Sequence, residues 1–120
     1  MSVSPIDFLH TAENSLKSTS EIDHRNAASR AYYSAFHHCG PLANHLDPVA
    51  TPKSGLHNAF IDIFINSSNF KSKAIGYMLR QCHDLRIKAD YHIGDEFHRH
   101  EAEITIKQAK RIYEAVDKLK

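Results

Sequence analysis

"HRNAASRAYYSAFHHCGPLANHL", residues 24–46, decides how this chain folds. Ala28, Ala31, Ala35, Cys39 and Leu42 recur every three or four positions, which places them on one helical face, and Tyr32 and Phe36 stand beside that stripe. Most of these side chains are small, so another helix can approach closely. Gly40 and Pro41 interrupt the pattern. A proline lacks the backbone donor and collides with the carbonyl four residues earlier, so the spacing predicts a bend or break near residues 38–41.

Upstream, "SPID", residues 4–7, opens a helix with Ser4 as N-cap, Pro5 in the first turn and Asp7 near the positive end of the dipole. Phe8, Leu9, Ala12 and Leu16 follow at helical spacing. The polar run "KSTSEID", residues 17–23, ends that helix and starts the next, with Ser18 and Glu21 in capping-box spacing. So short a turn implies antiparallel neighbours.

Downstream, "DPVATPKSG", residues 47–55, reads as a loop because of its prolines and glycine. "GLHNAFIDIFINSS", residues 55–68, is two-sided: Leu56, Phe60 and Ile63 or Phe64 fit a helix, whereas "FIDIFI" also suits a strand. With no second clear strand to pair with, helix is the expectation. A longer helix is expected from about residue 72, with Ile75, Met78, Leu79, Cys82, Leu85 and Ala89 on a narrow stripe and Gly94 at its end. The last runs from about residue 98, with Ala102, Ile106, Ala109, Ile112 or Tyr113, and Val116 facing inward. The expected fold is all-α, an up-and-down bundle of four to five helices.

The chain has 120 residues and 42% hydrophobic content, enough for one core, so a single domain over residues 1–120 is expected. No window approaches the roughly 18 apolar residues of a membrane span, and the N-terminus lacks a basic start followed by an apolar run. A soluble cytoplasmic protein without membrane contact is the expectation. Cys39 and Cys82 make neither a disulfide framework nor a zinc cluster and read as buried thiols. "HRHEAE", residues 98–103, matches no common zinc spacing, and no metal or cofactor is expected. A net charge of +1 excludes a broadly basic nucleic-acid footprint. Residues 71–93 nevertheless carry Lys71, Lys73, Arg80, Arg86 and Lys88 against Asp84 and Asp90, either a local basic surface or a solvated helix face.

Two stretches carry a family resemblance. "RNAASRAYYSAFHHC", residues 25–39, resembles the alanine- and tyrosine-rich second helix of the HEPN family, the higher eukaryotes and prokaryotes nucleotide-binding domains. "LRIKADYH", residues 85–92, resembles that family's later "LR-x-KADY" element, and the order and separation of the two agree. The resemblance spans roughly residues 5–118 and implies a helical bundle that often dimerises.

Catalytic members of that family are metal-independent ribonucleases carrying Arg-x(4 to 6)-His, and others have lost the motif and serve as binding or scaffold domains. Arg86 and His92 satisfy the spacing. So do Arg30 and His37, and 6 arginines with 10 histidines give roughly 1.5 matches by chance. Position at the end of the penultimate helix favours Arg86 and His92. The resemblance therefore implies an endoribonuclease of toxin–antitoxin or defence type acting on RNA. It also implies a homodimer and a nucleotidyltransferase-type antitoxin as partner. Ile87 stands where many active members have a polar residue, and no tyrosine follows His92 by two positions. Those departures keep open the alternative, a catalytically inactive domain binding a nucleotide, RNA or protein.

Cleavage of RNA by its own 2'-hydroxyl needs a base, an acid and positive charge on the phosphate. Histidine titrates near neutrality, and arginine presents a planar fork to phosphate oxygens. Six positions on an intact helix lie about 9 Å apart along the axis and about 120° apart around it. Either the helix unwinds between Lys88 and His92, or two chains meet at a shared cleft. Asp90 and Tyr91 could orient His92, or Asp90 could pair with Lys88 or Arg86 while Tyr91 packs in the core. Arg30 either reaches the same surface to bind phosphate or braces a neighbouring helix through an ion pair.

Overall fold

The computed structural model describes residues 2–48 and 57–119. Five helices follow one another: α1 (Pro5–Ser15), α2 (Glu21–Leu46), α3 (His57–Ile65), α4 (Phe70–Tyr91) and α5 (Arg99–Leu119). No strand is present among the described residues, so "FIDIFI" is helical as expected. Most of the loop expected over residues 47–55 lies outside the described residues, as does Leu56; Asp47 and Pro48 are not helical.

The small-residue stripe makes α2 the hub. Ala28, Ala31, Ala35 and Cys39 are fully buried, and α2 packs against each of the other four helices. Without long side chains between them, the backbones approach closely and the larger residues of the partners fill the space: Leu9 from α1, Ile75 and Leu79 from α4, and Ile106, Ile112 and Val116 from α5. Phe60, Ile61 and Phe64 seat α3, chiefly on α4.

Gly76 permits that contact, because a Cβ there would lie 2.6 Å from Ile65 Cγ1 and 2.8 Å from Ile65 N. Polar ties add direction inside the core. The Ser34 hydroxyl donates to the Pro5 carbonyl at 2.7 Å and lies 2.7 Å from the Tyr113 hydroxyl, joining α1, α2 and α5.

Local expectations held unevenly. Ser4, Pro5 and Asp7 open α1 as read, with a capping box between Ser4 and Asp7. The second capping box was misplaced: Ser20, not Ser18, caps α2 by accepting from Asp23 N, while Ser18 Oγ accepts from Ser20 N. The expected break at residues 38–41 is absent, for α2 runs on to Leu46. Pro41 and His37, whose carbonyl loses its helical donor, are both exposed, so water can serve that carbonyl. α4 begins two residues earlier than expected, because Asn69 caps it by accepting from Lys71 N and Ser72 N.

Candidate functional site

Arg86 lies near the C-terminal end of α4, 9% exposed, and its Nε donates to Asp90 Oδ2 at 2.9 Å. The same oxygen accepts from Ser29 Oγ of α2 at 3.1 Å. The guanidinium lies 5.0 Å from the Tyr33 ring centroid and 5.3 Å from that of Tyr91. A flat, weakly hydrated cation is stabilised by such ring faces, and the carboxylate fixes its rotation.

Arg30 reaches the same Tyr33 ring at 5.3 Å and Phe8 of α1 at 5.6 Å. Among the described residues no carboxylate pairs with Arg30, and its buried Nε has no hydrogen-bond partner. It braces α1 through an aromatic ring rather than through the ion pair weighed above. Two guanidiniums thus share one ring with a single carboxylate in contact, which leaves surplus positive charge beside Tyr33.

His92 is the C-cap of α4 and is exposed. Its backbone N–H donates to the Lys88 carbonyl at 3.1 Å, and the helix is intact through Tyr91. Unwinding between Lys88 and His92 does not occur. Within one chain Arg86 and His92 therefore keep the separation of an intact helix, about 9 Å along the axis and about 120° around it.

Lys88 pairs with Glu101 at the start of α5. Burial pushes the Glu101 carboxyl up, but the Lys88 ammonium and the His98 backbone donor outweigh it and hold the group below its ordinary range. Tyr91 is 64% exposed, so the core position weighed for it is not where it lies.

Arg25 organises the end of α4, a role the sequence did not disclose. It is 5% exposed, its Nε donates to Glu21 Oε2 at 3.0 Å, and it stands over the Phe97 ring. One Nη donates to the carbonyls of Lys88 at 3.3 Å, Ala89 at 3.0 Å and His92 at 3.3 Å, and the other to that of Asp95. A side chain from α2 thus gathers four carbonyls at and just beyond the end of α4, of which those of Lys88 and His92 also accept a backbone N–H, from His92 and Asp95.

A second group lies on the other side of Arg86 along α4. The fully buried Tyr32 places its hydroxyl 2.7 Å from His57 Nδ1, and the His57 ring stacks on His83 with centroids 5.4 Å apart. Tyr32 also lies 5.4 Å from the His83 ring. Burial raises the Tyr32 phenol well above its usual range. Burial first, then His83 and Arg86, lower His57; burial first, then Arg86 and Arg80 against the opposing pull of Asp84, lowers His83. Both imidazoles are therefore neutral at physiological pH. The spacing of His83 and Arg86 in "HDLR" was the available sequence signal.

Burial raises the Cys82 thiol to about 12, and Cys39 is raised likewise, so both cysteines serve packing. Among the described residues no group of three or more His, Cys, Asp or Glu side chains is placed to hold a metal ion, and no helix is long and apolar enough to cross a membrane.

Compared with known proteins, the chain matches the family model of the HEPN domain over residues 6–119. No curated protein and no solved structure matches it.

Proposed function

The chain belongs to the HEPN family, whose members are nuclease and nucleotide-binding domains, and from that premise we propose that it is a metal-independent endoribonuclease of toxin–antitoxin or defence type. The supporting observation is the Arg86 guanidinium, held against two tyrosine rings by Asp90 and sharing Tyr33 with Arg30. Such a cation is ready to take a phosphodiester in two parallel hydrogen bonds without first being ordered.

His92 ends the same helix with its ring exposed and carries a proton during cleavage. Because one intact helix keeps Arg86 and His92 apart, the productive arrangement is a homodimer in which the pair is completed across the interface. Asp90 and Tyr91 hold Arg86 in place, Arg30 adds charge, and Lys88, committed to Glu101, contributes at longer range. The protein works in the cytoplasm as a single domain, and a nucleotidyltransferase-type antitoxin restrains it.

A second reading draws on the same carboxylate. Asp90 occupies the Nε of Arg86, and an arginine already paired suits reversible binding of RNA or nucleotide as well as catalysis. Incubation of purified protein with end-labelled RNA in EDTA separates the two. Wild-type cleavage leaving 2',3'-cyclic phosphate, lost in folded Arg86→Ala and His92→Ala variants, is the expected result. RNA binding without cleavage establishes the binding reading, and equal cleavage by all three proteins removes Arg86 and His92 from the site.

A further inference from the structure

Arg86 has a histidine neighbour within its own chain, and it is not His92. His83 stands three positions earlier on α4, about 4.5 Å along the axis and about 60° around it, so the two side chains share a face. Each is 9% exposed, so neither is wholly sealed from solvent. His83 packs against Tyr32 of α2 and His57 of α3.

On the ribonuclease reading, we propose that His83 is the general base that takes the 2'-hydroxyl proton while Arg86 of the same chain holds the phosphate, with His57 and Tyr32 as positioning residues. His92 of the partner subunit is then left with the acid role.

The choice between the two stacked imidazoles follows from their hydrogen bonds. The Tyr32 hydroxyl lies 2.7 Å from His57 Nδ1 and so engages one of that ring's two nitrogens. In the tautomer assigned to His57 the hydroxyl donates, so that the ring's one basic nitrogen is occupied. The His83 ring makes no hydrogen bond among the described residues and has a free basic nitrogen. The titratable and charged groups around it are Tyr32, His57, Arg80, Asp84 and Arg86. Burial first, and then the guanidiniums of Arg86 and Arg80 against the pull of Asp84, disfavour a positive charge there, so the imidazole waits neutral, as a base must.

The step balances. His83 accepts the 2'-hydroxyl proton as O2' forms its bond to phosphorus. The bond from phosphorus to O5' breaks, and the 5'-oxygen keeps the electron pair and takes a proton from the His92 imidazolium. The products are a 2',3'-cyclic phosphate and a 5'-hydroxyl, and exchange with water restores both histidines.

Single-turnover cleavage in EDTA tests the assignment, with wild type, His83→Ala, His83→Gln and Tyr32→Phe compared for rate, RNA affinity and melting temperature. Loss of the base is expected to slow cleavage at least about 100-fold in both His83 variants with affinity nearly unchanged, and added imidazole is expected to recover part of the His83→Ala rate. Tyr32→Phe keeps the ring packing and is expected to slow cleavage about tenfold by releasing His57. His83→Gln, which retains most of the side-chain volume, decides the matter if the alanine variant unfolds, and a Tyr32→Phe rate equal to wild type counts against the positioning if both do. Cleavage that survives folded His83 variants overturns this assignment alone, and absence of wild-type cleavage overturns the ribonuclease reading and the assignment with it.

Discussion

Asp90 stands one helical turn beyond Arg86, accepts from its Nε at 2.9 Å and from the Ser29 hydroxyl at 3.1 Å, and so joins the arginine of α4 to the hub helix α2 through one carboxylate. Removing that charge without changing its shape exposes the balance between restraint and attraction. Asp90→Asn is expected to raise affinity for single-stranded RNA several-fold and to steepen its salt dependence, because counterion release grows with each cation left for phosphate. The same change is expected to lower stability by about 1 kcal/mol. Fluorescence polarisation across a salt series and urea unfolding measure the two. Weaker binding would mean that Asp90 acts by ordering Arg86 rather than by competing for it.

Arg25 caps a helix in which it does not reside. Arg25→Ala removes the donor shared by four carbonyls of residues 88–95, of which those of Lys88 and His92 keep a backbone N–H, and leaves Glu21 without its ion pair, and a loss of about 3 kcal/mol is expected. Urea unfolding reads the loss. Amide exchange should accelerate over residues 88–95 before other parts of α4. Uniform acceleration along the whole helix would show that the cap acts on global stability only.

Gly76 lets α4 meet α3 at backbone distance. Gly76→Ala improves helix propensity by about 1 kcal/mol, yet the new methyl would sit 2.6 Å from Ile65 Cγ1, 2.8 Å from Ile65 N and 3.0 Å from Phe64 Cβ. The backbone nitrogen has no easy way to yield. Net destabilisation of about 2 kcal/mol is expected from the overpacking, seen as a lower melting temperature. A gain in stability would show that α3 can retreat without loss.

His37, His57 and His83 all titrate below their ordinary range, chiefly because burial disfavours their charged forms. The unfolded chain therefore binds these protons first as pH falls through about 6.5, and stability declines from there down to the depressed folded values. The melting temperature is expected to drop between about pH 7 and pH 5, more shallowly in a His57→Phe, His83→Phe double variant. Equal slopes in the two proteins would assign the acid sensitivity elsewhere.

Periodicity was enough for the helices because each inward stripe is a local pattern: Ala28, Ala31, Ala35 and Cys39 read as one face and are one. Pro41 misled because the cost of a proline depends on which way the freed carbonyl faces, and that is set by tertiary packing. Ser18 and Ser20 are both acceptable caps by type, and only the path of the turn chooses between them. At the candidate site, "LRIKADYH" pointed to Arg86 and left Asp90 between His92, Lys88 and Arg86 as partners, of which the structure has Arg86, one turn away. Arg25 stayed hidden because its carbonyl partners are 63 to 70 residues distant in sequence. Nothing in the sequence marked His57 as a neighbour of His83, since stacking between α3 and α4 leaves no trace in the spacing of either.

That long reach of Arg25 has a consequence for how the protein comes into being. On the ribosome α1 and α2 can pair as a hairpin early, with Arg25 already presented, but the carbonyls it must clasp do not exist until synthesis has passed Asp95. The setting of Arg86 is therefore completed only once residues 88–95 have been made, after the helices that precede them in the chain. On the ribonuclease reading, the phosphate-holding arginine is set beside the ribosome's own RNA only after both segments that frame it, 63 to 70 residues apart, have been synthesised.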